Sequence, residues 1–376
     1  MKLILPIAGV GLRLRPFTST KPKGFVQIAG SRGVDHILRK IGSSLPDKTP
    51  IALITGYKKQ QIQQYVEENY SNQFNPSFIE QIPRGYKGDI PYFSGLGHAI
   101  LLSREWYNVT EDIKGRLNPN DTLIFLSDMI PVNNYDFILK DLENDDNDGI
   151  IGSMIVPDEK TRFYGILETD KNGYIYSLVE KPEQTNSNQA IAGVYAFKAK
   201  AMKRLYEILN EQYEKHLEII DTLEKKEFQF TPALQQLVEE GFKLKSATFE
   251  EGILDFGRPE ALLNSNRILL DAMSALYQKQ KKNIEIIDSV IINPSAIDSG
   301  TKIKNSVIGP YSSVGKNCII EDCNLNNVVI GDDCILKKII TRESIIGDFV
   351  QIESIIKNNM TIGDNTTLVA TKKTIS

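Results

Sequence analysis

The sequence has few of the residues on which disulfide frameworks, zinc sites and membrane spans depend. It contains three cysteines, Cys318, Cys323 and Cys334, and this odd, sparse set suits neither a disulfide framework nor a zinc site. We therefore expect reduced thiols and a cytoplasmic protein. No apolar run approaches the ~20 residues of a membrane-spanning helix. The first apolar stretch runs into Arg13 without a small-residue cleavage site, so we expect no signal peptide.

Histidine is scarce, and positive charge is not in excess. The three histidines, His36, His98 and His216, lie near neither a nucleophile motif nor a pair of metal ligands, so we expect structural roles for them. The formal net charge of −4 argues against a nucleic acid partner, because nucleic acid binding usually shows a basic domain. The chain is 41% hydrophobic and 24% charged, as soluble proteins are, and its 376 residues predict two domains.

Residues 1 to about 256 alternate short apolar runs with helix-like segments. The predicted strands are residues 3–8, 50–55, 77–81, 122–127, 149–156, 192–197 and 243–249. The predicted helices are residues 34–42, 59–69, 97–105, 137–143, 200–209 and 232–240. This alternation indicates an α/β fold with a Rossmann-like, mainly parallel sheet. In such sheets ligands bind outside the carboxyl ends of the strands.

The loop after the first predicted strand contains two glycines, Gly9 and Gly11. Arg13 follows two residues later, and Pro22-Lys23 comes ten residues further on. Glycine lets backbone N–H groups approach phosphates closely, and fixed cations hold the phosphate charge. We therefore expect the glycines to bind a nucleoside triphosphate, Arg13 to clamp its terminal phosphates and Lys23 to neutralise charge beside them. The alternative is a tight turn with surface cations.

Asp128 follows the apolar run 123–127, at the carboxyl end of a predicted buried strand. A carboxylate in this position suits Mg²⁺, which takes few protein carboxylates together with phosphate oxygens and waters. The alternative is an aspartate in a turn or at the N-cap of a helix. We predict that Asp128 is a magnesium ligand. The glycine loop also follows the end of a predicted strand, so both would face one crevice.

From about residue 284 the sequence becomes a short repeat. Segments 308–314, 330–336, 346–352 and 362–368 each place an aliphatic residue six positions after another, and the last three begin Ile-Gly-Asp at intervals of 16 residues. Such repeats predict a parallel β-helix. Its predicted core residues are Ile297, Ile303, Ile308, Val314, Ile320, Leu325, Ile330, Leu336, Ile346, Ile352 and Ile362. The predicted domains are residues 1–257 and 284–376, with a linker helix over 258–283.

The first 250 or so residues resemble the sugar-1-phosphate nucleotidyltransferases, also called nucleotide-sugar pyrophosphorylases. That family begins with Gly-Gly-x-Gly-Thr-Arg-Leu-x-Pro and a later Pro-Lys, and residues 8–16 and 22–23 take those places here. Ala8 replaces the first glycine and Leu12 replaces the threonine. The C-terminal repeat is similar to the left-handed β-helix appended to several members. By this resemblance Ala8 joins Gly9 and Gly11 at the nucleotide.

The resemblance also implies residues for the metal and the base. Asp255, in Gly252-Ile-Leu-Asp255, matches the second Mg²⁺ ligand beside Asp128, and the alternative is a cap for the helix that starts near Pro259. Gln81 matches a glutamine that reads the base, and Gly95 opens the Gly-Leu-Gly-His-Ala turn that follows it. About a dozen residues separate the two, which is more than in the family. The resemblance therefore leaves open either the base-reading role of Gln81 or the geometry of this loop.

On the sugar side, the resemblance implies that Lys181 grips the incoming phosphate and that Glu180 accepts sugar hydroxyls. Both belong to Val179-Glu-Lys-Pro182. The alternative is a surface ion pair in a turn. Four further residues match sugar-pocket positions, for which a structural role is also open: Tyr164, Gly165, Gly193 and Thr231.

The reaction implied by the resemblance is the transfer of a nucleotidyl group to a sugar-1-phosphate, with release of pyrophosphate. We favour glucose-1-phosphate with dTTP or UTP, and the alternative is mannose-1-phosphate with GTP. A non-catalytic regulatory homologue is a further alternative, supported by Ala8 and Leu12. An added acyltransferase is disfavoured, because such chemistry usually needs a histidine base and residues 217–376 contain none. We expect a homo-oligomer.

Overall fold

The computed structural model describes residues 1–109, 120–219, 227–277 and 283–370. Contacts within the chain divide it into two compact units. The first unit comprises Met1–Val10 and Ile37–Ile253, and the second comprises Gly11–His36 and Leu254–Ser376. The N-terminal segment Gly11–His36 therefore groups with the C-terminal part of the chain, which the sequence analysis did not anticipate. The predicted boundaries at residues 257 and 283 stay predictions.

The first unit is built on a nine-stranded mixed sheet. Four of its strands run parallel to one another: Lys2–Pro6, Thr49–Thr55, Phe74–Glu80 and Thr122–Phe125. Five further strands complete the sheet: Gly149–Ile155, Gly165–Thr169, Ile175–Glu180, Gln189–Phe197 and Leu244–Thr248. Three of the parallel strands, Lys2–Pro6, Thr49–Thr55 and Thr122–Phe125, are almost wholly buried, as expected where helices cover both faces, whereas Phe74–Glu80 is partly exposed. The predicted Rossmann-like α/β fold is confirmed.

The helices follow the predicted alternation with two differences. Their bounds are Gly33–Gly42, Lys59–Tyr70, Leu96–Leu102, Arg104–Val109, Asp136–Leu142, Ala199–Ile219, Thr231–Glu239 and Pro259–Tyr277. The single helix predicted over 97–105 is two helices, interrupted at Ser103, whose hydroxyl donates to the Ile100 carbonyl at 2.6 Å. The helix predicted over 200–209 extends to residue 219. Residues 278–282 of the predicted linker helix lie outside the described residues.

One antiparallel hairpin was missed by the sequence analysis. Gly165–Thr169 pairs with Ile175–Glu180, with Gly165 opposite Glu180. The turn between them contains Gly173 at φ +84°, a conformation that favours glycine. Asp170-Lys-Asn-Gly173 between two alternating runs was the available signal. This register matters because Tyr164, Gly165, Glu180 and Lys181 lie at the open end of the hairpin.

The second unit contains the predicted parallel β-helix. Its strands are Glu285–Ile287, Val290–Ile291, Ala296–Ile297, Lys302–Lys304, Val307–Ile308, Ser313–Val314, Ile319–Glu321, Asn324–Ile330, Ile335–Ile346, Gln351–Ile356, Thr361–Ile362 and Thr367–Val369. Strands of successive coils pair in parallel 16 or 17 residues apart, so that Ile320 pairs with Leu336 and Leu336 with Ile352. All the aliphatic residues predicted for the core lie in it, together with the three cysteines, which are free. The repeat is consistent with the left-handed form.

Residues at φ near +50° mark the corners of the coils. Asparagine and aspartate tolerate this left-handed region better than other side chains do. Most of the non-glycine corner positions carry them: Asn283, Asp288, Asn305, Asn317, Asp322, Asn327, Asp333, Asn359 and Asn365. The sequence thus sets both the core and the corners of the β-helix.

No helix within the described ranges is long and apolar enough to cross a membrane.

Candidate active site

A polar cluster of the first unit brings together most of the residues predicted for the sugar side. The Thr231 hydroxyl donates to Glu180 Oε2 at 2.6 Å. Thr231 begins the helix Thr231–Glu239 and is 5% exposed, so its hydroxyl is held in place. A Cβ on Gly165 would lie 3.2 Å from both Glu180 Oε2 and Thr231 Oγ1. The three residues therefore form one contact group, although they lie on three different elements.

Lys181 continues this cluster at the end of the hairpin. Its N–H donates to the Tyr164 carbonyl at 3.0 Å, and its φ is +47°. Lys181 Nζ lies 3.2 Å from Glu180 Oε1. The lysine side chain is 49% exposed, so its ammonium can also meet a solute. The cluster thus offers one cation and one carboxylate at a single accessible point.

The charge of Glu180 also acts on its buried neighbour Tyr195. Burial raises the pKa of the Tyr195 phenol, and the nearby carboxylate raises it further. Tyr195 packs edge-on against Phe230, with ring centroids 5.1 Å apart. The phenol therefore stays neutral at physiological pH and forms part of the packing beneath the cluster.

Gly193 supports the loop that carries Asp128. The Gly193 carbonyl accepts the N–H of Leu126 at 3.0 Å, and the glycine has φ +71°. A Cβ at this position would lie 2.8 Å from the Leu126 side chain. Asp128 follows two residues later and is half-buried. The structure therefore places Gly193 beneath this loop, where a side chain would displace the segment that leads to Asp128.

Gln81 and Gly95 lie together despite the long loop between them. The Gln81 amide nitrogen donates to the Gly95 carbonyl at 3.1 Å and lies 3.2 Å from His98 Nδ1. Gln81 is 3% exposed. The intervening residues form a short hairpin, Gly85–Lys87 with Ile90–Tyr92, which accounts for the extra length. In this arrangement the glutamine supports the turn through its amide nitrogen.

His98 has a structural environment, as expected. It stacks on Tyr213 with ring centroids 4.6 Å apart, and burial lowers the pKa of its imidazole. The ring is therefore neutral near pH 7. Neither observation indicates nucleophilic or metal chemistry for this histidine.

Ala8 and Gly9 follow the first strand, which ends at Pro6. The Ala8 carbonyl accepts the N–H of Tyr57 at 3.1 Å. Its methyl group lies beside Gly56, where a Cβ on residue 56 would be only 3.0 Å away. The alanine that departs from the family pattern is therefore accommodated by a glycine opposite. Gly9 is exposed and free to approach a ligand.

The remaining phosphate-loop residues belong to the second unit. Gly11 has φ +68°, and a Cβ there would lie 2.9 Å from the Lys23 Cβ. Its carbonyl accepts the Thr18 hydroxyl at 2.9 Å, which closes the loop on itself. Arg13 and Leu12 are exposed on the short turn Leu12–Leu14. The loop thus presents Arg13 outward while its own contacts keep it compact.

Lys23 and Asp255 meet at Gly257. A Cβ on Gly257 would lie 2.6 Å from Lys23 Nζ and 2.9 Å from Asp255 Oδ1. The Gly257 N–H donates to Asp255 Oδ1 at 2.7 Å. Lys23 Nζ also lies 5.9 Å from the centre of the Phe256 ring. Lys23 and Asp255 were predicted from the sequence, whereas Gly257 was not. Residue 257 must be a glycine because the Lys23 and Asp255 side chains lie where its Cβ would be.

The predicted magnesium ligands lie in different compact units, Asp128 in the first and Asp255 in the second. Over the described ranges, no three His, Cys, Asp or Glu side chains converge as a metal-binding group. The role of Asp128 and Asp255 as magnesium ligands stays a prediction.

Comparison with known proteins identifies the family. The family model described as nucleotidyl transferase matches residues 2–272. The chain belongs to this family. Glucose-1-phosphate thymidylyltransferase of Streptomyces griseus is 24% identical over 343 residues, which are 88% of this chain and 87% of that relative. The resemblance to sugar-1-phosphate nucleotidyltransferases is thereby confirmed.

Two further similarities bear on this nucleotidyl transferase. The bifunctional protein GlmU of Methanocaldococcus jannaschii is 30% identical over 300 residues, 79% of this chain and 61% of GlmU. A solved structure of UDP-glucose pyrophosphorylase from Acinetobacter baumanii matches with a TM-score of 0.53 at 19% identity. That match covers 74% of this chain and 94% of the other, and it supports the fold.

Proposed function

We propose that the protein is an enzyme that transfers a nucleotidyl group from a nucleoside triphosphate to a sugar-1-phosphate, giving a nucleotide sugar and pyrophosphate. The observation that carries this proposal is the cluster around Glu180, within a chain of the nucleotidyl transferase family. In this cluster the Lys181 ammonium suits a phosphate group. The Glu180 carboxylate accepts the Thr231 hydroxyl through one oxygen, and it suits sugar hydroxyls.

The proposed mechanism is an in-line displacement at the α-phosphorus. An oxygen of the sugar phosphate forms the new bond, the bond to the β-phosphate breaks, and pyrophosphate leaves. The attacking group is already an anion, so catalysis consists of positioning and charge stabilisation. Lys181 orients the attacking phosphate, and Arg13 and Lys23 stabilise the departing pyrophosphate.

We propose Mg²⁺ as the cofactor, with Asp128 and Asp255 as its protein ligands. Asp128 is half-buried after a buried strand, and the Gly257 N–H occupies only one oxygen of Asp255. When bound, the ion neutralises charge on the phosphates. The two carboxylates fit this role because magnesium completes its shell with phosphate oxygens and waters.

The favoured substrates are glucose-1-phosphate with dTTP or UTP. The similarity to the Streptomyces griseus glucose-1-phosphate thymidylyltransferase supports this choice. Mannose-1-phosphate with GTP is the alternative, and a non-catalytic regulatory homologue is the alternative to an enzyme. A regulatory homologue predicts no pyrophosphate release with any substrate pair.

A pyrophosphate-release assay across five nucleoside triphosphates and several sugar-1-phosphates, with and without chelator, tests the proposal. We expect release that depends on Mg²⁺ and is fastest with one pair. Asp128→Asn should lower the rate at least about a hundredfold, the scale for one electrostatic group in a transition state. Turnover of Asp128→Asn equal to that of the wild type would refute the metal assignment.

We further propose a cytoplasmic homo-oligomer. The three free thiols support the reducing compartment. Exposed aliphatic side chains on neighbouring coils, such as Ile340 and Ile356, support a contact between copies. A monomer in sedimentation at micromolar concentration would count against the oligomer.

A further inference from the structure

Lys21 is a buried cation in the N-terminal segment of the second unit. The residue is only 9% exposed. Its ammonium pairs with Asp348 and lies 3.1 Å from Asp364 Oδ2. Both carboxylates belong to the β-helix, in the Ile-Gly-Asp repeats that the sequence analysis singled out.

The repeats form a column that we call the aspartate ladder, consisting of Asp332, Asp348 and Asp364. Asp364 Oδ1 accepts the N–H of Asp348 at 2.8 Å, and Asp348 Oδ1 accepts the N–H of Asp332 at 2.9 Å. Gly331 and Gly347, which precede Asp332 and Asp348, are required, because a Cβ on either would overlap the aspartate of the next coil. One oxygen of each carboxylate therefore stabilises the coils.

The second oxygen of two ladder residues faces the N-terminal segment. Asp348 Oδ2 binds Lys21, and Asp364 Oδ2 binds both Lys21 and the Thr20 hydroxyl. Asp332 contacts the same segment through Gln27, whose amide nitrogen donates to Oδ1 at 3.1 Å. The segment is thus attached to three successive coils, and Lys21 contacts two ladder aspartates at once.

These attachments hold the phosphate-loop residues. Lys21 lies two residues before Lys23 and eight after Arg13. Between Arg13 and Lys21, Pro16 packs on Gly363, where a Cβ would lie 2.9 Å from the proline Cβ. Lys21 is occupied by two carboxylates and buried, so it is poorly placed to bind substrate phosphate itself. Its ion pairs instead determine the positions of the neighbouring cations, Arg13 and Lys23.

We propose that Lys21 is a positioning residue, which ties the phosphate-binding loop to the β-helix through Asp348 and Asp364. The inference rests on the proposed function, since it assigns the loop to a triphosphate. It also gives the Ile-Gly-Asp repeats a second role, because the carboxylates that stabilise the coils hold the loop as well. The β-helix is accordingly needed for triphosphate binding.

Steady-state kinetics of the full-length chain test this inference, with Lys21→Met, Asp348→Asn and the double variant. We expect KM for the triphosphate to rise about tenfold in each, the effect of one lost charge-assisted hydrogen bond. KM for the sugar phosphate should stay within twofold of the wild type. The double variant should be no worse than Lys21→Met, because the two changes remove the same ion pair.

Asp333→Asn is the matched control. This exposed aspartate lies beside Asp332, and among the described side chains it accepts only from Asn317, at 3.2 Å. The variant therefore removes one negative charge from the β-helix without changing a contact of the phosphate loop. Its kinetics should equal those of the wild type. Lys21→Arg keeps a cation and should restore at least part of the triphosphate affinity. An equal rise in KM for Asp333→Asn would overturn the inference.

Hydrogen exchange separates this inference from the proposed function. The N–H groups of Leu14 and Phe25 are protected by bonds of 3.0 and 2.9 Å to Gly11 and Pro22. Without any substrate, Lys21→Met should speed exchange in residues 12–25 while the β-helix core stays protected. Unchanged exchange in a folded Lys21→Met would overturn the inference. An inactive wild type would refute the proposed function but leave this measurement able to test the attachment.

Discussion

The contact between Thr231 and Glu180 allows a sharp test of the sugar side. Thr231→Val keeps the shape of the side chain and removes the hydroxyl that donates to Glu180 Oε2 at 2.6 Å. The carboxylate then loses its fixed orientation beside Lys181, whose ammonium lies 3.2 Å from its other oxygen. If Glu180 binds sugar hydroxyls, the variant should bind the sugar phosphate less well.

The magnitude follows from the environment of Glu180. A hydrogen bond to a charged group contributes ~1.5–3 kcal/mol. The Glu180 side chain is 23% exposed, so water can replace part of the lost bond and the low end of that range applies. A loss of ~1.5 kcal/mol corresponds to about tenfold in kcat/KM. We therefore expect about a tenfold rise in KM for the sugar phosphate, with KM for the triphosphate within twofold.

The assay is pyrophosphate release at saturating triphosphate with the sugar phosphate varied. Thr231→Ser is the control, because it keeps the hydroxyl and should stay within about threefold of the wild type. Thermal unfolding of both variants checks that the helix Thr231–Glu239 is intact. A sugar-phosphate KM for Thr231→Val within twofold of the wild type would show that this contact does not orient a substrate-binding carboxylate.

Two further predictions concern the β-helix. Burial is the largest cause that raises the pKa of Asp332, and the nearby Asp348 raises it further. Ionising Asp332 therefore costs folding free energy above its raised pKa, and this cost is absent below the ordinary pKa of the unfolded chain. Asp332→Asn should raise the Tm at pH 7 in calorimetry, with the gain lost near pH 4. Burial also raises the pKa of Cys323 to about 11, so at pH 8 its thiolate fraction is ~0.1%. The folded protein should resist thiol reagents at pH 8 and react after denaturation.

Each of these predictions has its own control. Asp333→Asn changes an exposed carboxylate on the same coil and should leave the Tm unchanged at both pH values. A lower Tm for Asp332→Asn at pH 7 would mean that its ionised form stabilises the fold. For the thiols, free glutathione in the same buffer reports the reactivity of the reagent. Rapid labelling of folded protein would contradict burial of the three cysteines.

The sequence predicted the β-helix well because its stability is local and repetitive. One aliphatic residue per face is enough to bury the interior of a coil, so the spacing of Ile330, Ile346 and Ile362 determines which residues lie inside. The strands of the first unit were predicted nearly as well, since buried parallel strands are continuous apolar runs. The hairpin Gly165–Thr169 with Ile175–Glu180 was missed because its alternating strands are half exposed.

The candidate site was predicted as a set of residue types, and its contacts were not. Glu180 and Thr231 are 51 residues apart in sequence, and no local pattern specifies that a helix N-terminus meets the end of a hairpin. The extra length between Gln81 and Gly95 was uninterpretable in the sequence and is a hairpin in the structure. Long-range contacts of this kind depend on sheet order and register, which single-sequence patterns do not contain.

The sequence by itself determined the nature of the protein's parts: a phosphate loop rich in glycine and cations, an α/β sheet and a repeating β-helix, each encoded by short-range pattern. Only the tertiary structure decided how Lys21 is used. Its partner Asp348 is 327 residues away, and pairing them requires that Gly11–His36 fold with the C-terminal unit. The physical reason is that a buried charge must find an opposite charge, and the fold, not the local sequence, determines which one lies within reach.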